Sequence, residues 1–299
     1  MNRSRRSVLV LPGNNRRMAE KATTLNAAEV VLDLEDAVPN IPAEKENARR
    51  LLVAALQELD FGPRTVSVRI NGIEGPHALR DVLALVPAVA NKISCLVVPK
   101  VASPSQVSFV DHLLSGLEAE AGISTPLGLE LQIEDPKGLE AVSEIAGASA
   151  RTEALIFGPG DFAAAMGMPQ LQIGQETVGY PGDIWHYALF RIVVAARARG
   201  IQAIDGPVSD IDDITLLERV SRRAVQLGYE GKWVIHPAQL DAVNRAFTPG
   251  PEQVRRAEEI LAALNHRGGA SRMGGEMVDE AHGRMAREVL LRAERPVPD

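Results

Sequence analysis

The sequence has a single cysteine, few aromatic residues and no excess of positive charge. One thiol, Cys95, cannot build a disulfide framework or a thiolate metal site, which favours a reducing, cytoplasmic setting. Aromatic residues make up 4% of the chain, too few for base-stacking surfaces, and the formal net charge is -7. Nucleic acid is therefore not an expected partner.

Long apolar runs are also missing. No segment approaches the ~20 consecutive apolar residues that a membrane helix needs, so a membrane is not an expected partner. The basic start of the chain, followed by apolar residues 8–11, briefly looks like a signal peptide, but that run is too short and ends in Pro-Gly. Hydrophobic residues still make up 45% of the 299 residues, enough for a large globular core.

The chain does contain a regular alternation of two patterns. Short, β-branched apolar runs alternate with segments that carry apolar residues at helical spacing, such as 186–200, which ends in Gly200, a residue typical of helix termini. Eight such units predict an α/β fold, the (β/α)8 TIM barrel, with a doubly wound sheet as the alternative because one chain does not reveal strand order. The eight runs span residues 7–13, 29–36, 65–72, 95–101, 127–135, 154–161, 201–207 and 232–237.

The chain is predicted to divide near residue 250. Residues 1–250 form the barrel core. Residues 251–299 hold the last barrel helix, a Gly-rich hinge (268–277, GGASRMGGEM) and a C-terminal helix over 279–294. Because this final helix lies outside the eight units, we expect it to pack on the barrel or on a neighbouring subunit.

Polar residues collect at the ends of the predicted strands, where a barrel carries its catalytic groups. One such residue is readily explained as a helix N-cap, but a set of buried charges is costly and therefore indicates a site. The set comprises Glu35, Asp36, Arg69, Asn71, Lys100, Glu134, Asp135, Asp161, Asp205 and His236. Lys100 is expected to neutralise acids in the lumen, and Asp205 to pair with Lys100 or Arg69.

The stretch GLELQIEDPKGL, residues 128–139, places carboxylates in an apolar strand. Strand side chains alternate between faces, so Glu130, Gln132 and Glu134 point into the lumen. Glu134 then lies at the rim and is the predicted working acid. Glu130 lies deeper and is predicted to form a structural pair with Lys100 or Arg69, whereas Asp135 is predicted to be an N-cap.

Glu134 and Asp161 end neighbouring strands. Two oxygen ligands without a cysteine or a histidine triad suit a hard cation such as Mg²⁺. The turn that ends in Gly160 adds backbone N–H groups beside them, a candidate oxyanion cradle. The alternative is that both acids pair with Arg69 and Lys100 and bind no metal.

Motifs along nearly the whole chain, about residues 5 to 285, resemble those of the citrate lyase β-subunit-like family in the HpcH/HpaI aldolase superfamily. The likeness is greatest to its malyl-CoA and β-methylmalyl-CoA lyases. The motifs that carry it are RSVLVLPGNNRR, VVLDLEDAV, VRING, VVPKV, LQIED, FGPGDFAAAMG, YPGDIWHYAL, IDGP, GKWVIHPAQL and GEMVD.

The resemblance implies a Mg²⁺-dependent enzyme (Mn²⁺ may substitute) that makes or breaks a carbon–carbon bond in a 3-hydroxyacyl-CoA. By its motifs, Glu134 and Asp161 are the metal ligands, with Gly160 beside the substrate. Arg69 binds substrate and stabilises the enolate oxyanion. Glu35 and Asp36 order water around the metal.

The resemblance also implies that Asp279 is the catalytic acid and that it comes from the adjacent subunit of a homotrimer or homohexamer. Burial there is expected to raise its pKa. From the residues alone, an N-cap of the last helix is the preferred role of Asp279.

Coenzyme A is assigned by the resemblance to a second group of residues. Asn15 and Arg17 match an N-x-R element near its entrance. Lys21, His236 and Pro237 are added as further candidates, although Arg17 and Lys21 also fit a solvated helix face, and His236 a core histidine. Three further readings stay open: a malyl-CoA thioesterase, a citrate lyase β-type subunit acting on a citryl thioester, and a metal aldolase that needs no CoA.

Overall fold

The computed structural model describes residues 3–169, 171–175, 182–267, 271–273 and 275–295. The chain divides into two compact units, residues 1–243 and 244–299. Within the described residues, no helix has the length and apolarity needed to cross a membrane.

The first unit is built on a closed barrel of eight parallel strands, each paired with its neighbours in sequence order. This confirms the predicted (β/α)8 barrel, and the doubly wound alternative is wrong because β1 pairs with β8. The strands are β1 (Ser7–Pro12), β2 (Glu29–Asp33), β3 (Thr65–Arg69), β4 (Cys95–Val98), β5 (Gly128–Ile133), β6 (Thr152–Phe157), β7 (Gln202–Asp205) and β8 (Gly231–Val234).

Helices follow the strands as the helical spacing predicts. One predicted helix, over 137–149, is divided in two because Ala141 leaves the helical conformation. The helices are α1 (Arg16–Ala22), α2 (Pro42–Glu58), α3 (Ala78–Val89), α4 (Pro104–Ala121), α5 (Pro136–Glu140), α6 (Val142–Ile145), α7 (Pro159–Ala165), α8 (His186–Arg199), α9 (Ile214–Leu227), α10 (Leu240–Phe247), α11 (Pro251–Arg267) and α12 (Glu280–Arg292).

An apolar layer fills the middle of the barrel lumen. Strand alternation places Val31 of β2 between Glu29 below and Asp33 above, on the same face. The layer therefore separates a polar group at the foot of the barrel from the polar rim. Its buried members are Val8, Val31, Val97, Ala154, Ile156, Ile204 and Trp233.

The foot of the lumen holds a fully buried ionic group around Arg5. Its Nε lies 3.0 Å from Glu130 Oε1 and 3.4 Å from Glu29 Oε2. The prediction that Glu130 pairs with Lys100 or Arg69 is wrong. Arg5, which precedes β1, lies at the same end of the lumen as Glu130 and is its partner. Burial, and then the charge of Glu130, raise the pKa of Glu29 well above its ordinary value.

Asp205 also has a different partner from the one predicted. Its Oδ2 accepts a 2.6 Å hydrogen bond from Lys232 Nζ, and both side chains are buried. Ile204 belongs to the lumen layer, so Asp205, one residue later, faces the opposite side of the sheet. It is therefore turned away from Lys100 and Arg69.

The second unit is a helix pair with a short β-hairpin. Helices α11 and α12 bury Ala257, Leu261, Ala286 and Leu290 against each other. In the predicted hinge, strands β9 (Ser271–Met273) and β10 (Glu276–Val278) pair antiparallel. The hinge residues 268–270 and 274 lie outside the described residues.

Candidate active site

Lys100 is the centre of a charged cluster at the carboxyl ends of β2 to β6. Its Nζ lies 2.6 Å from Glu35 Oε1, 3.6 Å from Asp36 Oδ1 and 3.7 Å from Asp161 Oδ1. Its backbone N–H donates a 2.8 Å hydrogen bond to Glu134 Oε1. The structure thus brings four of the predicted acids around one residue, and the ammonium group of Lys100 lies within ion-pair distance of three of them.

The backbone of Lys100 adopts a left-handed conformation, with φ of 54°. This region is unfavourable for a residue with a side chain, and such strain is concentrated at functional sites. Here the conformation directs the N–H and the ammonium group of one residue into the same acid cluster. Burial lowers the pKa of Lys100, but the hydrogen bond to Glu35 and the nearby acids raise it more, so the ammonium group stays charged.

Arg69 lies beside this cluster and is held by Asp33. Its Nε and Nη2 donate to the two oxygens of Asp33 at 2.7 and 2.6 Å, while Nη1 lies 3.1 Å from Glu35 Oε2. The guanidinium carbon is 5.4 Å from the ring centre of Trp233. Asp33 was not among the predicted site residues, which on this strand were the two acids that follow it, Glu35 and Asp36. Alternation along β2, which puts Asp33 on the lumen face, was the available signal.

Glu134 is buried, and neighbouring residues fix its orientation. Gln132 Nε2 donates a 2.7 Å hydrogen bond to its Oε2. A Cβ atom at Gly158 would come within 2.3 Å of the same oxygen, so the strand end needs glycine there. Burial and then the charge of Asp161 raise the pKa of Glu134 to about 8, although Arg69 opposes the shift.

The donor set of Glu134 and Asp161 fits a hard cation. Asp161 lies close enough to Glu134 for its charge to raise the pKa of Glu134. A cation between two such acids would stabilise both of them as carboxylates. Among the described residues, no three His, Cys, Asp or Glu side chains form a metal cage. A two-carboxylate site completed by water and substrate oxygens is an arrangement that Mg²⁺ accepts.

The raised pKa of Glu134 predicts a pH dependence of stability in EDTA. In the folded protein Glu134 keeps its proton up to about pH 8, whereas in the unfolded chain it ionises near the ordinary value of 4.5. Between these values the folded state holds more protons, so the free energy of unfolding falls as the pH rises. The melting temperature, measured by calorimetry, is expected to fall more steeply from about pH 5 to about pH 8 in the wild type than in Glu134→Gln.

Glu120→Gln is the matched control for this measurement, because Glu120 is an exposed glutamate on α4. It is expected to follow the wild-type profile. Parallel profiles for wild type and Glu134→Gln would contradict the assignment of the proton to Glu134.

The residues predicted to meet coenzyme A lie at the ends of β1 and β8, which are neighbours in the barrel. Asn15 is exposed and caps α1, accepting a 3.1 Å hydrogen bond from Met18 N–H. Arg17 and Lys21 are exposed on the same helix. All three side chains are therefore exposed, Asn15 and Arg17 at the start of α1 and Lys21 in its last turn.

His236 and Pro237 follow β8. His236 is exposed, and its Nδ1 accepts a 3.3 Å hydrogen bond from Ala238 N–H. The alternative of a core histidine is therefore wrong. Pro237 is partly exposed and begins a short 3-10 turn.

Asp279 lies in the second unit, where it is the N-cap of α12. It accepts a 3.0 Å hydrogen bond from Ala281 N–H, and its Oδ1 lies 2.7 Å from His282 Nδ1. The predicted capping role is confirmed. The side chain is exposed, and the hydrogen bonds with His282 lower its pKa. The raised pKa expected of a catalytic acid is thus absent from the single chain.

A closed barrel with a charged cluster at the carboxyl ends of its strands has the architecture of a TIM-barrel enzyme. The family model described as HpcH/HpaI aldolase/citrate lyase matches residues 6–237. The chain therefore belongs to this family.

Its relatives include the L-malyl-CoA/beta-methylmalyl-CoA lyase of Cereibacter sphaeroides, 38% identical over 98% of this chain and 95% of the relative. The malyl-CoA/beta-methylmalyl-CoA/citramalyl-CoA lyase of Chloroflexus aurantiacus is 34% identical over 86% of this chain and 78% of the relative. Among solved structures, CitE from Mycobacterium tuberculosis, in complex with magnesium, acetoacetate and coenzyme A, is similar with a TM-score of 0.80. That chain is 29% identical, over 99% of this chain and all of its own.

Proposed function

We propose that this protein is a Mg²⁺-dependent lyase that cleaves or forms the carbon–carbon bond of a 3-hydroxyacyl-CoA. The substrate class is malyl-CoA, β-methylmalyl-CoA or citramalyl-CoA, and the products are acetyl- or propionyl-CoA and a 2-oxoacid such as glyoxylate. The observation that carries the proposal is the acid pair Glu134 and Asp161 beside Arg69 at the barrel rim. The lyase names of the relatives support the substrate class.

Glu134 and Asp161 are the residues that would hold the metal ion. When bound there, Mg²⁺ supplies Lewis-acid polarisation of the 2-oxoacid carbonyl, and Mn²⁺ is expected to substitute because it also prefers oxygen ligands. The N–H groups that begin α7, including that of Gly160, orient the substrate carboxylate at the helix terminus. Glu35 binds water or substrate hydroxyl groups at the edge of the site, and Asp36 does the same.

Arg69 stabilises the enolate that cleavage leaves on the acetyl-CoA fragment. A guanidinium group keeps its charge at any relevant pH, and a preorganised charge near a developing oxyanion lowers the barrier. In cleavage the substrate hydroxyl gives its proton to water as it becomes the carbonyl, and Asp279 of a neighbouring copy protonates the enolate carbon; in synthesis both proton transfers run in reverse. This role needs a homo-oligomer. We propose a trimer or hexamer and a cytoplasmic location.

Coenzyme A is proposed to bind along the rim sector between β1 and β8. Arg17 and Lys21 offer positive charge to its phosphates, and Asn15 offers an amide. His236 and Pro237 line the opposite side of the same sector. The exposure of these side chains in the single chain leaves them available for an extended ligand.

Malyl-CoA assayed with Mg²⁺ separates this function from its alternatives. Formation of glyoxylate and acetyl-CoA, measured by coupled assay and mass spectrometry, is the expected result. Malate with free CoA would instead identify a thioesterase. Turnover of a citryl thioester alone would identify a citrate lyase β-type subunit. No turnover of malyl-, β-methylmalyl- or citramalyl-CoA would contradict the proposal.

A further inference from the structure

The Asp33 carboxylate joins two parts of the rim. It is 1% exposed and accepts hydrogen bonds from Arg69 Nε at 2.7 Å and Nη2 at 2.6 Å. The same two oxygens accept the backbone N–H of Glu35 at 2.8 Å and of Ala37 at 3.0 Å. One carboxylate therefore holds both a guanidinium group and the loop that carries two acids of the site.

This clamp, the contact of Asp33 with Arg69 and with the backbone of Glu35 and Ala37, fixes which edge of Arg69 faces the acid-bearing loop. The Nε–Nη2 edge is engaged by both oxygens of Asp33, so Nη1 is the edge left towards Glu35 Oε2 and Asp36 Oδ2, at 3.1 and 3.8 Å. The ring of Trp233 lies against the guanidinium at 5.4 Å and limits its tilt. The orientation of Arg69 is thus determined before any ligand binds.

We propose that Asp33 is a positioning residue. It aims the Nη1 edge of Arg69 at the thioester oxygen on which the enolate charge develops, and it holds the loop of Glu35 and Asp36 in place beside Arg69. The inference rests on the proposed function in one respect, namely that Arg69 contacts the substrate. The clamp itself does not depend on the reaction.

A purely stabilising role does not account for this arrangement. Replacing a buried ion pair by apolar side chains of similar volume is often neutral or stabilising, so stability alone gives little reason for two buried charges. A bidentate carboxylate, by contrast, sets the plane and the direction of a guanidinium group, which a single contact does not. Orientation is therefore the property that this pair supplies.

A double-mutant cycle on kcat/KM tests the proposal. Asp33→Asn keeps the size of the side chain but turns one acceptor into a donor that faces Arg69. It is expected to lower kcat/KM about a hundredfold, mainly through kcat, as misplacement of a catalytic group does. In an Arg69→Lys background the same change is expected to cost less than about threefold, because the two residues act as one unit.

Asp205→Asn is the matched control, since Asp205 is also buried at a strand end but pairs with Lys232. It is expected to lower the melting temperature and to cost the same factor in kcat/KM in both Arg69 backgrounds. An equal loss for Asp33→Asn in the two backgrounds would overturn the positioning role. If Asp33→Asn does not fold, Asp33→Glu, which keeps the charge and displaces it by one methylene, is put through the same cycle.

Tryptophan fluorescence tests the clamp without any assay of turnover. The chain has two tryptophans, so Trp185→Phe leaves Trp233, over which Arg69 lies, as the one emitter. In that background Arg69→Met and Asp33→Asn are both expected to shift the emission maximum in the same direction, with no further shift in the double variant. A shift for Arg69→Met but not for Asp33→Asn would overturn the clamp. A shift for both, together with no lyase turnover in the wild type, would reject the proposed function and leave the clamp standing.

Discussion

Replacing Glu134 by glutamine is expected to lower kcat at least about a thousandfold, since Lewis-acid stabilisation of a transition state contributes several kcal/mol. Glutamine keeps the shape of the side chain and its bond from Lys100 N–H, but it removes the negative charge that a divalent cation requires. Direct titration of Mg²⁺ by calorimetry is expected to show the loss of binding alongside the loss of turnover.

The fold is not expected to suffer from this change. The Glu134 carboxylate is buried next to Asp161, and burial disfavours its charged form. In EDTA at about pH 8, the melting temperature of Glu134→Gln is therefore expected to equal or exceed that of the wild type. Glu120→Gln is again the control and is expected to keep wild-type turnover. Full Mg²⁺-dependent activity in Glu134→Gln would contradict the assignment of Glu134 as a metal ligand.

Asp279→Ala is expected to lower kcat by about two to four orders of magnitude, the usual contribution of a general acid. The barrel rim is left intact by this change, so binding of coenzyme A, measured by calorimetry, is expected to stay as in the wild type. Glu280→Ala, at the next position, is the matched control. It removes an exposed carboxylate from the same helix end but keeps Asp279, the proposed catalytic acid.

Mixed oligomers test whether Asp279 acts across a subunit boundary. Glu134→Gln and Asp279→Ala chains, each inactive alone, are co-expressed with different affinity tags and purified through both. If each site takes its metal ligands from one chain and its acid from the next, about a third of the sites in the purified mixed trimers are complete, or about a quarter in mixed hexamers, and activity returns to that extent. Absence of complementation would place the acid and the metal in the same chain, and a monomer in solution would contradict the placement independently.

The rim acids were predictable from sequence because strand periodicity and barrel geometry act locally. Alternation along β5 put Glu134 on the lumen face at the strand end, and parallel strands bring such ends together. The Asp135 cap was equally local, and its side chain accepts the N–H of Lys137 as predicted. For such residues, the neighbouring residues in the sequence are enough to determine where the side chain points and what it contacts.

Pairing between distant residues was harder to predict. Glu130 was assigned to cations near it on neighbouring strands, but its partner Arg5 lies 125 positions away and enters the lumen from the other end. Asp205 was assigned to lumen cations. However, Ile204 faces the lumen, so the next residue on β7, Asp205, faces outwards and pairs with Lys232. Which of several cations reaches a buried acid depends on strand stagger and side-chain length, and neither can be obtained from one sequence.

The apolar layer across the lumen has a consequence for how the barrel can be altered. It is built from valine, alanine, isoleucine and tryptophan side chains, which carry no titratable group. The layer therefore separates Glu29 and Glu130 at the foot from the acids at the rim, except along β5, where Gln132 lies between Glu130 and Glu134. Substitutions at the foot and at the rim are expected to combine additively, so the foot can be redesigned for stability while the chemistry at the rim is left untouched.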